Sequence, residues 1–114
     1  MGINVNQEKF DASLSNATSI LIESGNGNDL EVVMRNLFSH LETRYLQLKQ
    51  QRFEIIEKDY MKKLFRVDEP SWFSASGKKF RGKIVGLTGD GKLLIEKDGI
   101  HEVFGFKEVE MIIN

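Results

Sequence analysis

The chain has 114 residues, of which 40% are hydrophobic and 29% charged, and its formal net charge is -1. That composition fits a soluble globular protein with room for one ordinary domain, or one small domain and part of a neighbour. The near-neutral balance argues against a nucleic-acid module, which is usually clearly basic; the absence of cysteine removes disulfides, thiolate nucleophiles and Cys-ligated zinc together.

The opening Gly2-Ile3-Asn4-Val5-Asn6 alternates apolar and polar residues and predicts a short strand. It lacks the basic and apolar runs of a signal peptide. No apolar stretch approaches the roughly 20 residues needed to cross a bilayer, so a cytoplasmic location is expected and no membrane partner. Residues 7–16 are polar, interrupted by Phe10 and Leu14, and read as a loop. Residues 17–24 predict a short helix with Asn16 as its cap and Gly25 as its stop.

The clearest segment comes next. Asn28 is positioned to cap a helix, with Glu31 three residues on as a capping-box acid. Apolar residues then recur at Leu30, Val33, Met34, Leu37, Phe38, Leu41, Tyr45 and Leu48, in steps of three and four. That is the period of an amphipathic helix with one buried face. Gln50-Gln51-Arg52 breaks the pattern, and a second stripe at Phe53, Ile56, Tyr60 and Leu64 predicts another helix over about 52–65. The only proline, Pro70, disfavours helix before it. A domain boundary is therefore expected between residues 66 and 67.

Beyond Pro70 the pattern becomes that of strands. They are predicted at 71–76, 80–87, 93–96, 100–104 and 108–113, with turns at Gly77, at Thr88-Gly89-Asp90-Gly91-Lys92 and at Lys97-Asp98-Gly99. Short strands at such tight spacing suggest a small antiparallel barrel, with Gly82 and Gly86 where strands bend or backbones approach closely. The fold class expected is α+β.

Groupings that carry chemistry are scarce, and neither a catalytic residue nor a metal ligand is assigned. His40 and His101 stand apart and unaccompanied, whereas metal ligands come in sets. Glu54, Glu57 and Asp59 read as a solvated helix face. The run Lys78-Lys79-Phe80-Arg81-Gly82-Lys83, with Trp72 and Phe73 nearby, has the elements of a nucleic-acid surface. In alternating strands, however, the aromatics turn inward and the lysines outward, so Trp72, Phe73, Phe80 and Phe104 are expected to be at least half buried.

The order of motifs goes further. Gly2-Ile3-Asn4-Val5-Asn6 resembles the strand under the ligand pocket of biotin–protein ligases, and Asn16-Ala17-Thr18-Ser19-Ile20 is similar to a segment found a loop later in that family. Tyr60-Met61-Lys62-Lys63-Leu64 ends a two-helix stretch of the same kind. Gly82, Gly86 and Gly91-Lys92-Leu93-Leu94-Ile95, then Phe104, Glu108 and Val109, resemble the family's C-terminal SH3-like domain. The resemblance covers essentially the whole chain.

It implies an ATP-dependent parent enzyme that converts biotin to biotinyl-5'-adenylate and transfers it to a lysine of a biotin carboxyl carrier protein. Residues 1–66 would be the end of the catalytic domain and 67–114 the SH3-like domain. Gly2 and Asn4 would lie near the adenylate, residues 7–16 would close over it, and Glu108 would serve ATP and carrier-protein use. Where some members carry an arginine, this chain has Ile112. The family's Gly-Arg-rich loop and catalytic lysine would lie upstream of Gly2. The chain alone is therefore expected to be inactive and to bind neither ATP nor biotin tightly. Its expected partners are the carrier protein, the missing catalytic-domain residues and, through the exposed helix face, a second copy of itself. Two other readings remain at this point: an SH3-like protein-interaction module with a groove of exposed aromatics, and a nucleic-acid-binding module built on Lys78–Lys83.

Overall fold

The structure is a computed structural model that describes residues 2–113. The chain divides into two compact units between Phe53 and Glu54. That division groups the helix after residue 53 with the strands, whereas the boundary expected from the sequence lies between residues 66 and 67.

The first unit holds two helices, α1 (Ile20–Ser24) and α2 (Leu30–Lys49). The strand expected at residues 2–6 does not form. Its backbone has another use: the carbonyls of Asn4 and Val5 accept the N–H groups of Ile20 (3.0 Å) and Leu21 (2.9 Å). Those are the first two N–H groups of α1, which have no partner inside the helix. The third, on Ile22, donates to the Ser19 hydroxyl at 3.2 Å. Ser19, extended at φ -136° and ψ 164°, is therefore the cap of α1. Asn16, the expected cap, lies three residues too early, and the helix begins at residue 20 rather than 17. Gly25 ends it as expected, at φ 72°, with its N–H donating to the carbonyl of Leu21.

In α2 the cap is Asp29, whose carboxylate accepts from the N–H groups of Glu31 (2.9 Å) and Val32 (3.4 Å). Asn28, the expected cap, is instead clamped by Asn6: the Asn6 amide donates to the Asn28 carbonyl at 2.7 Å and accepts its N–H at 2.9 Å. With the cap moved by one residue, Glu31 cannot close a capping box; it pairs with Arg35 at 3.0 Å along the helix. No residue of α2 is buried.

The second unit contains nearly all of α3 (Phe53–Lys63), with Glu54 in its first turn and Lys62 and Lys63 in its last, matching the helix dipole. Five strands follow: β1 (Ser71–Ala75), β2 (Lys78–Leu87), β3 (Leu93–Lys97), β4 (Ile100–Phe104) and β5 (Glu110–Met111). They form one antiparallel sheet in the order β4-β3-β2-β1-β5. Phe73, Ile84 and Ile95 are the buried core, with Phe80, Phe104, Val109 and Met111 among the residues packed on it. Gly82 marks the tightest approach. A Cβ there would lie 2.8 Å from Ile95 Cγ2 and 2.9 Å from the Glu96 carbonyl. The ladder between β2 and β3 shifts register between Ile84 and Gly86, which bends the strand.

The sheet is open. Among the described residues no ladder joins β4 to β5, so the expected closed barrel is not seen. The strand expected over 108–113 is only two residues long: Glu108 belongs to the turn from Gly105, and only Glu110 and Met111 pair in register with β1. No helix among the described residues is long and apolar enough to cross a membrane.

Candidate functional site

The residues singled out from the sequence fall in two places, one in each unit. In the first, the backbone bonds from Asn4 and Val5 seat residues 2–5 against the start of α1. Between them lies an open cleft of about 540 Å³, lined by Gly2, Ile3, Asn4, Thr18, Ser19 and Glu23 among others. Gly2 and Asn4 thus share one site. The Asn4 amide donates to the Thr18 carbonyl at 3.2 Å, and the Thr18 hydroxyl donates to Glu23 at 2.6 Å. Ser19, 3% exposed, donates to the Gln7 carbonyl at 2.6 Å while capping α1. Among the described residues the cleft therefore offers amide, hydroxyl and carbonyl groups plus one carboxylate, and neither lysine nor arginine lines it. Such a wall suits a neutral polar group; its described residues supply no side-chain cation to stabilise charge developing on a phosphate.

Sequence reasoning named Asn4 and Gly2 and missed Ser19, Thr18 and Asn6. Ser19 and Asn6 act over 12 and 22 residues of chain. All three lie inside the two motifs that carry the resemblance, Gly2–Asn6 and Asn16–Ile20, but as small polar side chains they were not given roles, and such groups often bond to the backbone.

In the second unit, Glu108 is exposed at the end of the turn after β4. Its carboxylate accepts the N–H of Gly105 at 2.6 Å and its own N–H donates to the Gly105 carbonyl at 3.2 Å. The turn carries Lys107 in the left-handed region (φ 62°) and holds Phe106 out with 91% of its surface exposed. Phe106, Lys107, Tyr60, Leu93, Phe104 and Val109 border a depression of about 420 Å³.

Of the four aromatics expected to be at least half buried, Phe73 is buried, and Phe80 and Phe104 are partly buried. Phe80 stacks against both, with ring centroids 5.6 Å and 5.8 Å away. Trp72 departs from the expectation at 53% exposed. It sits opposite Arg81 on the strand pair, and its neighbour Phe73 takes the inward position, so strand alternation turns Trp72 outward. A groove of exposed aromatics needs more than one such side chain on this face. Phe80 is likewise on the opposite side of the strand from the exposed Lys79 and Arg81, stacked between Phe73 and Phe104.

Among the described residues no group of three or more His, Cys, Asp or Glu side chains is close enough to hold a metal ion. His40 is exposed, and His101 lies 3.6 Å from Glu96. Two carboxylates titrate below the ordinary aspartate value, both through hydrogen bonds in turns. Asp11 is held down by the Ser13 hydroxyl and then the Ser13 N–H. For Asp90 the causes are first the Thr88 hydroxyl and then Lys92.

No family model matches the chain, and no curated protein matches it. Solved structures do. The apo structure of biotin protein ligase from Aquifex aeolicus matches with a TM-score of 0.78 and 21% identity, over 98% of this chain and 51% of that one. The chain has the fold of part of a biotin protein ligase. The same ligase in complex with biotin and ATP matches with a TM-score of 0.79, over 98% of this chain and 48% of that chain. At 21% identity the likeness is one of fold, and the chain spans about half the length of the ligase chains it matches.

Proposed function

We propose that the chain is the C-terminal portion of a biotin–protein ligase, with a catalytic-domain remnant at 1–66 and an SH3-like domain at 67–114. The parent would join biotin to ATP as biotinyl-5'-adenylate, releasing pyrophosphate. A lysine of a biotin carboxyl carrier protein would then attack the mixed anhydride, and AMP would leave. The fold agreement over 98% of the chain carries this reading. It is supported by the meeting of the Gly2–Asn6 and Asn16–Ile20 motifs at one cleft.

In this reading Gly2 and Asn4 border the adenylate, with the Asn4 amide oriented by its bond to Thr18. Glu108 stiffens the turn beside the Phe104–Val109 depression, where ATP or the carrier protein would be met. Cations that stabilise phosphate charge would come from the rest of the enzyme, as the described residues of the cleft include neither lysine nor arginine. The 114-residue chain by itself should neither form the adenylate nor transfer biotin. Biotin-dependent pyrophosphate release and carrier labelling measure both steps, and robust labelling by the chain alone would overturn the partial role. A non-hydrolysable biotinyl-adenylate analogue at millimolar concentration tests the ligase reading itself. It should shift backbone amide resonances at Gly2–Asn6 and Thr18–Glu23; a spectrum unchanged throughout would refute the assignment.

A further inference from the structure

The connection between α1 and α2 holds the only asparagine followed by a glycine, Asn26-Gly27. Both residues are exposed. The Gly27 N–H donates to no acceptor among the described residues, and a Cβ placed on Gly27 would meet nothing within 4 Å. An unbonded backbone nitrogen therefore follows a side-chain amide whose carbon it can attack. Glycine lets it arrive, because without a Cβ the backbone turns through conformations closed to other residues. The Asn26 amide is tethered only by an exposed bond from Nδ2 to the Ser24 carbonyl, at 3.1 Å. Water replaces such a bond at little net cost.

We infer that Asn26 is a site of spontaneous modification, converting through a cyclic imide to aspartate and isoaspartate, and that the isoaspartate form releases the Asn6–Asn28 clamp. Once base in the solvent takes the Gly27 amide proton, the nitrogen attacks Cγ of Asn26. The N–Cγ bond forms, the Cγ–Nδ2 bond breaks, and Nδ2 leaves as ammonia with a proton from water. Water then opens the ring. Cleavage at Cγ leaves aspartate in an unaltered main chain. Cleavage at the Asn26 carbonyl carbon routes the main chain through Cβ and Cγ, and the former carbonyl becomes a free carboxylate. In total one water is consumed and one ammonia released, with no oxidation or reduction. Other positions lack a part. Asn36 precedes Leu37 inside α2, whose backbone N–H groups bond along the helix. At Asp90-Gly91 the Gly91 N–H already donates to the Thr88 carbonyl at 2.9 Å, and a carboxylate has no ammonia to expel.

The Asn26 carbonyl also holds the fold. It accepts from the Asn28 side chain at 2.9 Å and from the Ser24 hydroxyl at 3.2 Å. Asn28 is the residue that Asn6 grips through both its N–H and its carbonyl. Isoaspartate lengthens the main chain just before Asn28 and removes the carbonyl that positions it, so the grip on Asn6 loosens beside the cleft bordered by Gly2, Ile3 and Asn4.

This inference does not rest on the ligase reading. The 114-residue chain, aged in mildly alkaline buffer, should show residue 26 converted in peptide-mapping mass spectrometry, with part of the product a substrate for an isoaspartyl methyltransferase. Mildly acidic buffer should slow the conversion, because the attacking nitrogen keeps its proton. Gly27→Ala and Asn26→Gln should each slow it many-fold, and the exposure of both positions lets the chain keep its fold. In the aged chain amide exchange at Asn28 should quicken. Fresh Asn26→Asp, which changes charge and not main-chain length, should exchange like the parent. Conversion at position 26 no faster than at Asn16 or Asn36, or equally fast in Gly27→Ala, would overturn the modification site. Exchange at Asn28 that isoaspartate leaves unchanged, or that fresh Asn26→Asp raises as much, would overturn release of the clamp.

Discussion

The two units reach order by different means. In the second, Phe73, Ile84 and Ile95 are at most 3% exposed and the strands pack around them. In the first, neither helix buries a single residue, and local order comes from hydrogen bonds at helix starts. Asn4, Val5 and Ser19 satisfy α1, Asp29 satisfies α2, and Asn6 clamps Asn28. A capping bond contributes about 1 kcal/mol, whereas fully burying a large apolar side chain contributes about 1.5–3 kcal/mol. The β unit is therefore expected to carry its own stability, and the helical unit to depend on what covers its apolar face.

The sharpest way to break that contrast is one aromatic truncation in each unit. Phe73→Ala should cost about 3–5 kcal/mol, the usual loss for a buried phenylalanine. Phe38→Ala on the exposed stripe of the monomer should stay within about 0.5 kcal/mol. The single tryptophan, Trp72, adjoins Phe73 and reports the β unit by fluorescence in urea, while helical circular dichroism follows α2. Equal losses from the two substitutions would mean that the helical unit has a core of its own.

A smaller effect separates the units at their glycines. In Gly82→Ala the new methyl meets Ile95 Cγ2 and the Glu96 backbone, which cannot give way easily. A cost of about 1–3 kcal/mol is expected from such overpacking. Around Gly27 nothing lies within 4 Å, so Gly27→Ala should leave the denaturation midpoint almost unchanged. A neutral Gly82→Ala would show that β2 and β3 approach less closely than described.

The same contrast explains what could be read from sequence. The long helix, the hairpin turns and four of the five strands were legible, because each depends on local periodicity or on a turn dipeptide. The first unit's start was not. Gly2–Asn6 has a strand's alternation, but its carbonyls serve a helix 16 residues away, and no window of sequence contains both partners. Capping residues shifted for the same reason: Asn16, Ser19, Asn28 and Asp29 are all competent caps, and only the bonds to Gln7 and Asn6 choose among them. Barrel closure was over-read because alternation marks strands and not which edges meet: β5 shrinks to Glu110–Met111 and pairs with β1, with no ladder to β4 among the described residues. Within the candidate site, Gly2 and Asn4 were legible by resemblance, while Thr18 and Ser19 entered only once α1 was placed.

Ser19→Ala probes the least legible of these positions. It removes the acceptor for Ile22 and leaves the buried approach to the Gln7 carbonyl without a donor. A loss of about 1 kcal/mol is expected from the cap, read as faster amide exchange at Ile20–Ile22 with β-unit amides unaffected. Ser19→Thr should recover most of it. Exchange that does not change would mean the carbonyls of Asn4 and Val5 hold α1 without the cap.

The smallest expected effect is electrostatic and occurs in both units. Asp11 and Asp90 are fully exposed, yet each titrates below its ordinary value because hydroxyl and other donors bond its ionised form. A carboxylate depressed in the folded state contributes stability that is present above its unfolded pKa and is lost as pH falls through the folded one. Acidification below the unfolded aspartate value of about 3.9 should therefore loosen the Asp11–Ser13 turn and the Thr88–Lys92 turn. Side-chain carboxyl shifts in a pH titration follow each group directly. In Thr88→Val the Asp90 midpoint should rise towards the ordinary aspartate value while Asp11 stays where it was. Because Thr88 also accepts the Lys92 N–H at 2.9 Å, amide exchange at Lys92 should quicken in the same variant. If the Asp90 midpoint does not move, Lys92 and not the hydroxyl holds it down, and the hairpin's acid sensitivity would then fade with added salt.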